Sequence, residues 1–491
     1  MIEEERFRAS LGPLIAWLET WRTDDGGYNG FVIHRTEAKR MKRIHDTAWT
    51  QAAMIQGYAN LYEKSQEVRW HDALVVAADL QYSRYQEETG KYLYAGHEDD
   101  RFCSLVHCAL ANCALLRAGR LLGPEREQRY IQAVRGNVDE YWMPKLWVER
   151  EGAFRFSEID YYSPNEDRYV INFNTMAAKC LLDLASITGD DSFKETALTI
   201  GRWLVKRCDH ARRVHAEMLR ALPEENRMPP GGLPYQFTPS QRDPENCVSL
   251  YAGLALRGIC ALYEATGEEE YARIAEETAE FLLSMRDPKS RLFFHTTKQG
   301  RIVPYPQFIA GAGMILLGIR EAGNTLGQRY SLDDTLATLL SYQYSNGSFP
   351  SFIGKDRYTG RWALGAGVVW EDVVATVNWN AQLFEYLTQC VADPSLIRIE
   401  RARPSLYKVS SRFFYVDSPC QVWIVSWYPP KSWGAYVMRK THDQALVAVE
   451  ARSIYGSMVE PIRRLVGRRP TLRNAPGASN GRMPGISSKM E

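Results

Sequence analysis

The stretch that decides the fold runs from Asp243 to Met285, DPENCVSLYAGLALRGICALYEATGEEEYARIAEETAEFLLSM. Its first part, 247–263, carries small and apolar residues on every side, with Arg257 as the only charge, which predicts a helix buried all round. Its second part, 271–282, has apolar residues at helical spacing and acids opposite, which predicts an amphipathic outer helix. Gly267 suits a helix C-cap, so the two helices are expected to be antiparallel neighbours. Because this hairpin cannot bury both sides of its first helix alone, the pattern predicts further copies.

The same pairing of an apolar helix with a more polar one recurs along the chain. Mostly apolar helices are expected to start near residues 46, 102, 172, 246, 307 and 372, about 55 to 75 residues apart. Leu11 to Trp21 is then the outer partner of the last inner helix, so that six pairs close a ring. The prediction is an inner ring of six helices that all run the same way, inside an outer ring of six.

This repeat resembles the (α/α)6 toroids, the group that includes six-hairpin glycosidases, sugar epimerases, polysaccharide lyases and the terpenoid cyclase and protein prenyltransferase relatives. The resemblance covers about residues 10–390 and implies a mainly α fold, an (α/α)6 toroid of six helical hairpins. A second resemblance lies in Leu340 to Phe349, LSYQYSNGSF, which is similar to the glutamine and aromatic turn of squalene-type cyclases. Trp21 to Tyr28 is a fainter copy. Such turns imply ties between outer helices and leave the reaction open.

The residue composition and its pattern change near Arg398. SRFFYVD, QVWIVSWY, GAYVMRK and QALVAVE are rich in β-branched and aromatic residues, which predicts a small C-terminal antiparallel β segment of three or four strands. The basic segment that follows has few apolar residues, and disorder is expected after about Pro470. We therefore divide the chain into a toroid (1–395), a β-rich segment (396–460) and a basic tail (461–491). The β segment either covers one face of the ring or mediates self-association.

Composition narrows the class of protein. The chain has 491 residues and a formal charge of +1, which gives no case for a nucleic-acid partner. The N-terminus lacks the features of a secretory leader, no run is expected to span a membrane, and nine cysteines without a CxxC spacing are read as reduced core thiols. A cytoplasmic protein is expected. Asp243 and Cys247 could begin a zinc set, but no third ligand is evident, so neither metal nor cofactor is predicted.

Polar clusters precede nearly every predicted inner helix, and parallel inner helices would gather them at one mouth of the ring. Any single acid there is also a good helix N-cap, but caps do not require Arg, His, Asn and Trp beside them. Two carboxylates flanking a glycosidic bond can act as acid and base or nucleophile. The candidate catalytic residues are Glu371 and Asp372, opposed by Asp100 and Asp46. The candidate substrate-binding residues are His45, Trp49, His97, Arg101, Arg168, Asn172, Asn174, Glu245, Tyr305, Gln307, Trp370, Asn378 and Trp379.

These residue types predict an enzyme that acts on a glycan or uronate-containing saccharide. Hydrolysis is favoured; His45, His97 or Tyr305 would instead suit proton abstraction in a lyase or epimerase. One alternative is an isoprenoid enzyme of the cyclase type, although only Ser331 to Asp334 approaches that family's acid motif, without its first Asp. The other is a non-catalytic toroid that binds a partner in a biosynthetic complex. The sequence does not fix the oligomeric state.

Overall fold

The structure is a computed structural model. It describes residues 4–23, 25–33, 40–45, 47–93, 103–159, 166–220, 222–224, 227–238, 246–344, 347–353 and 377–399, and five strands between 405 and 450. For 29–33, 40–45, 47–48, 305–306, 352–353 and those five strands it describes the backbone alone. The predicted tail, 461–491, lies outside the described residues.

Six helices form a closed inner ring, in which each helix contacts the next and the last contacts the first. They are α2 (Ala53–Ser65), α4 (Leu105–Leu122), α6 (Ile171–Thr188), α8 (Ser249–Thr266), α10 (Gly313–Leu326) and α12 (Val377–Cys390). A π-helical turn, Thr47–Ala52, leads into α2, and a 3-10 turn, Ala310–Ala312, leads into α10. The predicted inner ring is therefore confirmed.

Six helices form the outer layer. They are α1 (Glu4–Glu19), α3 (Val68–Ser83), α5 (Pro124–Gly136, continued by a π-helical stretch Asn137–Leu146), α7 (Asp191–Arg220), α9 (Glu269–Ser284) and α11 (Asp333–Ser341). The N-terminal helix α1 packs against α12, which closes the ring at six pairs as predicted. The mainly α, (α/α)6 toroid fold is confirmed.

The connections distinguish the two ends of the ring. Turns from an inner helix to its outer partner are short: Gly267 ends α8 in the left-handed region, at φ 69°, and its N–H donates to the Tyr263 carbonyl at 2.7 Å. Connections from an outer helix to the next inner helix are long and carry the small sheets. We call the end where these long connections enter the inner helices the mouth.

Four small antiparallel sheets lie in those long connections. Three are two-stranded: β3 (Tyr85–Gln86) with β4 (Lys91–Tyr92), β5 (Trp147–Val148) with β6 (Ala153–Phe154), and β7 (Tyr169–Val170) with β8 (Gln236–Phe237). The fourth joins β9 (Phe294–Lys298), β10 (Arg301–Phe308) and β11 (Phe352–Ile353). A 3-10 turn, Pro394–Leu396, follows α12.

Glycines allow the inner helices to approach closely. A Cβ on Gly318 of α10 would lie 2.1 Å from the Gly253 carbonyl oxygen of α8, and one on Gly258 of α8 would lie 2.1 Å from the Thr175 carbonyl oxygen of α6. Both distances are far below van der Waals contact, so these positions need glycine. Backbone contact between neighbouring helices is what leaves α8 buried on nearly every side, as its sequence predicts.

Among the described helices, Leu105–Leu122 alone is long and apolar enough, by length and composition, to cross a membrane. It is mostly buried as an inner helix of the ring, which accounts for its composition. The glutamine turn behaves as its resemblance implies: Gln343 Nε2 donates to the Ser10 carbonyl of α1 at 2.7 Å and to the Gly347 carbonyl at 2.9 Å. It thus ties α11 to α1.

The C-terminal β segment is larger than predicted. It has five strands, β12 (Ser405–Val409), β13 (Arg412–Ser418), β14 (Gln421–Tyr428), β15 (Ser432–Thr441) and β16 (Gln444–Glu450). They join an N-terminal hairpin, β1 (Asn29–Ile33) and β2 (Arg40–His45), in one antiparallel sheet of order β1-β2-β16-β15-β14-β13-β12. Because β1 contacts α12 and β2 ends just before the first inner helix, this sheet is anchored beside the mouth.

Candidate active site at the mouth of the ring

Aromatic side chains recur at one helical position around the mouth. When the π-helical turn Thr47–Ala52 is counted as the start of α2, the third residue of the inner helix is aromatic in five of the six repeats that the structure describes: Trp49, His107, Phe173, Tyr251 and Trp379. We call these five the mouth aromatics. All except Phe173 are partly exposed, although they sit at the first turn of helices that are otherwise buried. In the sixth repeat, Phe308 ends β10 just before α10.

Each of these rings contacts another aromatic ring. Trp49 and His107 meet edge to face with centroids 5.6 Å apart, and Tyr251 stacks on Tyr235 at 4.7 Å. Phe173 stacks on Phe156 at 5.1 Å. Trp379 lies 6.2 Å from Phe308, which in turn contacts His295 at 5.2 Å. These contacts fix the ring planes before any ligand arrives, which lowers the entropy cost of binding.

Two predicted polar residues lie beside the Phe156–Phe173 pair. The Arg168 guanidinium lies 3.8 Å from the Phe156 ring centroid and donates to Gln236 Oε1 at 3.1 Å. Asn172, in the first turn of α6, is 1% exposed, and neither its amide oxygen nor its amide nitrogen has a hydrogen-bond partner. An unpaired buried amide costs free energy, about 1–3 kcal/mol. Such a group at the mouth is a candidate for pairing with a ligand.

The predicted binding residue Asn174 makes hydrogen bonds to the scaffold instead. Asn174 is fully buried; its oxygen accepts from the Phe154 N–H at 2.8 Å and its nitrogen donates to the Phe154 and Val170 carbonyls. Asn380, at the matching position of α12, binds Phe349 in the same way. These amides hold the preceding connection against the inner helix, so the described hydrogen bonds of Asn174 all go to backbone atoms.

Gln307 is also used structurally. Its Nε2 donates to Asp287 Oδ2 at 2.7 Å, and its Oε1 accepts from the Ser290 hydroxyl at 2.8 Å, so it fixes the turn after α9. Asn378 is partly exposed, and its Oδ1 accepts from the Trp379 N–H at 2.9 Å. That contact orients the start of α12, where Trp379 projects.

The other predicted site residues are not tested by these contacts. His45 ends β2 and Tyr305 lies in β10, and for both the backbone alone is described. The remaining predicted residues lie outside the described residues: Asp46, His97, Asp100, Arg101, Glu245, Trp370, Glu371 and Asp372. Their sequence positions place them in the segments that lead into the inner helices. Among described residues, no three His, Cys, Asp or Glu side chains cluster closely enough to hold a metal ion.

The sequence analysis missed His107, Phe173, Tyr235, Tyr251 and His295. The candidates were chosen for polar side chains and tryptophans near each helix start, so other aromatic residues of the first turn were passed over. The three remaining mouth aromatics occupy the same position as Trp49 and Trp379, because the helices begin TAW, LVH, INF, SLY and VNW.

His107 is neutral in the folded protein. Its Nδ1 forms a hydrogen bond with the Ser104 hydroxyl. The ring is mostly surrounded by protein atoms and is partly exposed at the mouth. Burial lowers the pKa of His107 to about 3, from a usual value of 6.5. A neutral imidazole beside Trp49 can hydrogen-bond a ligand hydroxyl without adding charge.

The depressed pKa of His107 predicts a pH dependence of stability. Above pH 6.5 His107 is neutral in both the folded and the unfolded chain, so its protonation does not change the free energy of unfolding. As the pH falls from 6.5 toward 3, the unfolded chain takes up a proton that the native site excludes, and stability is lost by up to about 1.4 kcal/mol per pH unit. Urea unfolding of wild type and His107→Phe between pH 7 and 5 checks this. Equal losses in both proteins would contradict it.

Comparison with known proteins places the fold. No family profile and no curated protein sequence matches the chain. Among solved structures, D-mannose isomerase superposes with a TM-score of 0.54 at 11% identity, covering 79% of this chain and 97% of the other. An unsaturated glucuronyl hydrolase specific for heparin gives 0.52 at 13%, covering 81% and 100%. The cellobiose 2-epimerase of Bacillus thermoamylovorans B4167 gives 0.54 at 11%, covering 78% and 98%. The chain is thus an (α/α)6 toroid, with the fold that six-hairpin glycosidases and sugar epimerases share.

Proposed function

We propose that the protein is an enzyme that binds a saccharide at the mouth and transforms it by carboxylate acid/base catalysis. The observation that carries the proposal is the set of mouth aromatics, four of them partly exposed at the end of the ring where the sequence also concentrates acids. Aromatic faces stack on the apolar faces of sugar rings, while carboxylates and amides pair with the hydroxyls. The three structural neighbours named above act on sugars by their names, which agrees with this choice.

We assign the role of each residue from its position relative to the inner helices. Glu371 and Asp372 precede α12 and serve as the first acid pair, with Asp100 and Asp46 as the opposing carboxylates. Trp49, Tyr251 and Trp379 form the stacking surface, and the unpaired amide of Asn172 takes a sugar hydroxyl. Hydrolysis is our first choice because two carboxylates suffice for it. Lyase or epimerase chemistry would place proton transfer on His45 or His97 instead.

The axis of the ring below the mouth weighs against the isoprenoid alternative. Side chains from all six inner helices meet there and leave a cavity of only about 10 Å³, bordered by Gln56, Leu110, Met176, Arg257, Met314 and Glu385. A cyclase needs a deep apolar chamber in which to fold its substrate, and the described axis is filled and carries an ion pair. A shallow polar site suits a saccharide better.

Tyr251 and Tyr263 provide a matched pair for testing the proposal, because both are partly exposed tyrosines at opposite ends of α8. Tyr251→Ala is expected to weaken saccharide binding about tenfold, since an aromatic contact contributes about 0.5–1.5 kcal/mol beyond its buried area. Tyr251→Phe keeps the stacking face and should bind nearly as wild type. Tyr263→Ala should leave binding unchanged.

The measurement is the dissociation constant of a saccharide chosen by a thermal-shift panel of uronic acids, neutral oligosaccharides and prenyl diphosphates. Equal weakening by Tyr251→Ala and Tyr263→Ala would move the binding site away from the mouth. Stabilisation by prenyl diphosphates alone would replace the saccharide proposal with the isoprenoid one.

A further inference from the structure

A cavity of about 220 Å³ lies outside the inner ring, between α7, α9 and the segment 228–234. We call it the α7–α9 cavity. Helix α7 has 30 residues and is the longest described helix, and its C-terminal half supplies one wall of the cavity, including Cys208, Ala211 and Leu219. None of the mouth aromatics borders the cavity, so it is distinct from the proposed active site.

The basic and acidic side chains Arg212 and Glu277, which line the α7–α9 cavity, form an ion pair with each other. Arg212 binds Glu277 at 2.8 Å and also pairs with Asp209, so both charges at the rim are mutually neutralised. Burial raises the pKa of Cys208 to about 12, which keeps this thiol protonated at neutral pH. Most of the remaining lining is apolar, including Met228, Leu233 and Ile274. A neutral ligand fits this surface better than an ion.

One polar group in the wall lacks a partner. Thr278 of α9 borders the cavity and is fully buried, and its hydroxyl oxygen has no hydrogen-bond partner. Rotation about its Cα–Cβ bond exchanges the hydroxyl and the methyl, so the hydroxyl can turn toward a ligand. A ligand with one hydroxyl or carbonyl group would thus relieve a buried unsatisfied donor.

The size of the cavity sets the size of the ligand. An apolar protein cavity of about 150 Å³ is dry and accepts benzene, so the larger α7–α9 cavity has room for a ring with one or two substituents. Ala216, a small exposed residue of α7, borders the cavity, so the cavity reaches the protein surface on that side.

We propose that the α7–α9 cavity is a second binding site, for a small neutral ligand that has one ring or short apolar chain and a single hydroxyl or carbonyl group. The apolar part fills the space between α7 and α9, and the polar group pairs with the Thr278 hydroxyl. This site does not depend on what the mouth binds.

p-Cresol and toluene form a matched pair of probes, because they differ only in the hydroxyl. Wild type is expected to bind p-cresol about fivefold more tightly than toluene, the ratio that one neutral hydrogen bond gives. Thr278→Val has nearly the same shape without the hydroxyl, so it should lose the preference for p-cresol, whose hydroxyl would lack a partner, with unchanged affinity for toluene. Dissociation constants from ligand-observed NMR titrations of the full chain give these ratios.

Ala211→Leu is the blocking variant, since it extends a side chain into the cavity from α7. It should lose both probes by more than tenfold, and a melting temperature near that of wild type would show that it is folded. Failure of wild type to bind either probe would overturn the proposal, as would equal binding by wild type and Ala211→Leu. A preference for p-cresol that survives in Thr278→Val would overturn the role of Thr278.

Discussion

Asp372→Asn and Glu371→Gln are each expected to lower turnover by about 10²–10⁴-fold while leaving the melting temperature unchanged. A carboxylic acid that transfers a proton in the transition state typically contributes this much, and an amide of the same shape cannot do so. The two residues are our first acid pair because they stand in the segment that leads into α12, close in sequence to Trp379 and Asn378. Retained binding of the saccharide would separate a catalytic loss from a loss of affinity.

The control for these substitutions is Asp334→Asn. Asp333 and Asp334 are likewise adjacent acids at a helix start, but on the outer helix α11, and the Asp334 side chain is 75% exposed. This variant makes the same chemical change away from the mouth and should keep full activity. Wild-type turnover in both Asp372→Asn and Glu371→Gln would remove them from the catalytic set and move the search to Asp100 and Asp46.

The fold was predictable because its determinants are local and repeated. The apolar helix 247–263 and its acidic partner are visible in the sequence, and the observed α8 and α9 follow them within a few residues. The ends of helices are harder to predict where charged and apolar residues alternate without a clear period. The C-terminal part of α7 is an example, since the helix continues to Arg220 through a highly charged sequence in which only Ala211 and His215 extend its buried face.

The seven-stranded sheet shows what local sequence patterns cannot predict, which is the pairing of strands far apart in the chain. The C-terminal strands were expected from their composition, but their partner is the hairpin 29–45, about four hundred residues earlier in the chain. The link is a short antiparallel pairing of Leu446 with Met41 and Val447 with Arg40. Nothing in the periodicity of either segment specifies that pairing, because register between distant strands depends on how the ring brings them together.

The candidate site was only partly predictable. Position along each repeat selected Trp49, Arg168 and Trp379, and these residues lie at the first turns of inner helices or just before them. It could not separate an amide that faces a ligand from one that clamps a loop. Asn172 and Asn174 are two residues apart, yet one is unpaired and the other makes three hydrogen bonds. That difference depends on backbone atoms of Phe154, which the sequence does not position.

Arg257 was the one charge in a helix predicted to be buried all round, and the structure pairs it twice. Its side chain is 10% exposed; one terminal nitrogen lies 3.1 Å from Glu385 Oε1 and its Nε lies 3.2 Å from Glu321 Oε2. Glu385 is 3% exposed, and burial raises its pKa although Arg257 opposes the shift. The ion pair joins α8 to α12 beside the axis of the ring, so each buried charge is neutralised by the other.

Arg257→Ala is therefore expected to destabilise the protein by about 3–5 kcal/mol at pH 8, because it leaves the Glu385 carboxylate buried without its cation. Without Arg257 the native pKa of Glu385 rises further above its unfolded value of 4.5, so stability falls as the pH rises and the deficit shrinks toward pH 5. The double variant Arg257→Met, Glu385→Leu removes both charges and should recover most of the stability, with no such pH dependence. Urea unfolding of the three proteins at pH 5 and 8 tests this. A deficit in Arg257→Ala that is equal at both pH values, and that the double variant does not relieve, would mean that lost packing rather than an unpaired charge sets the cost.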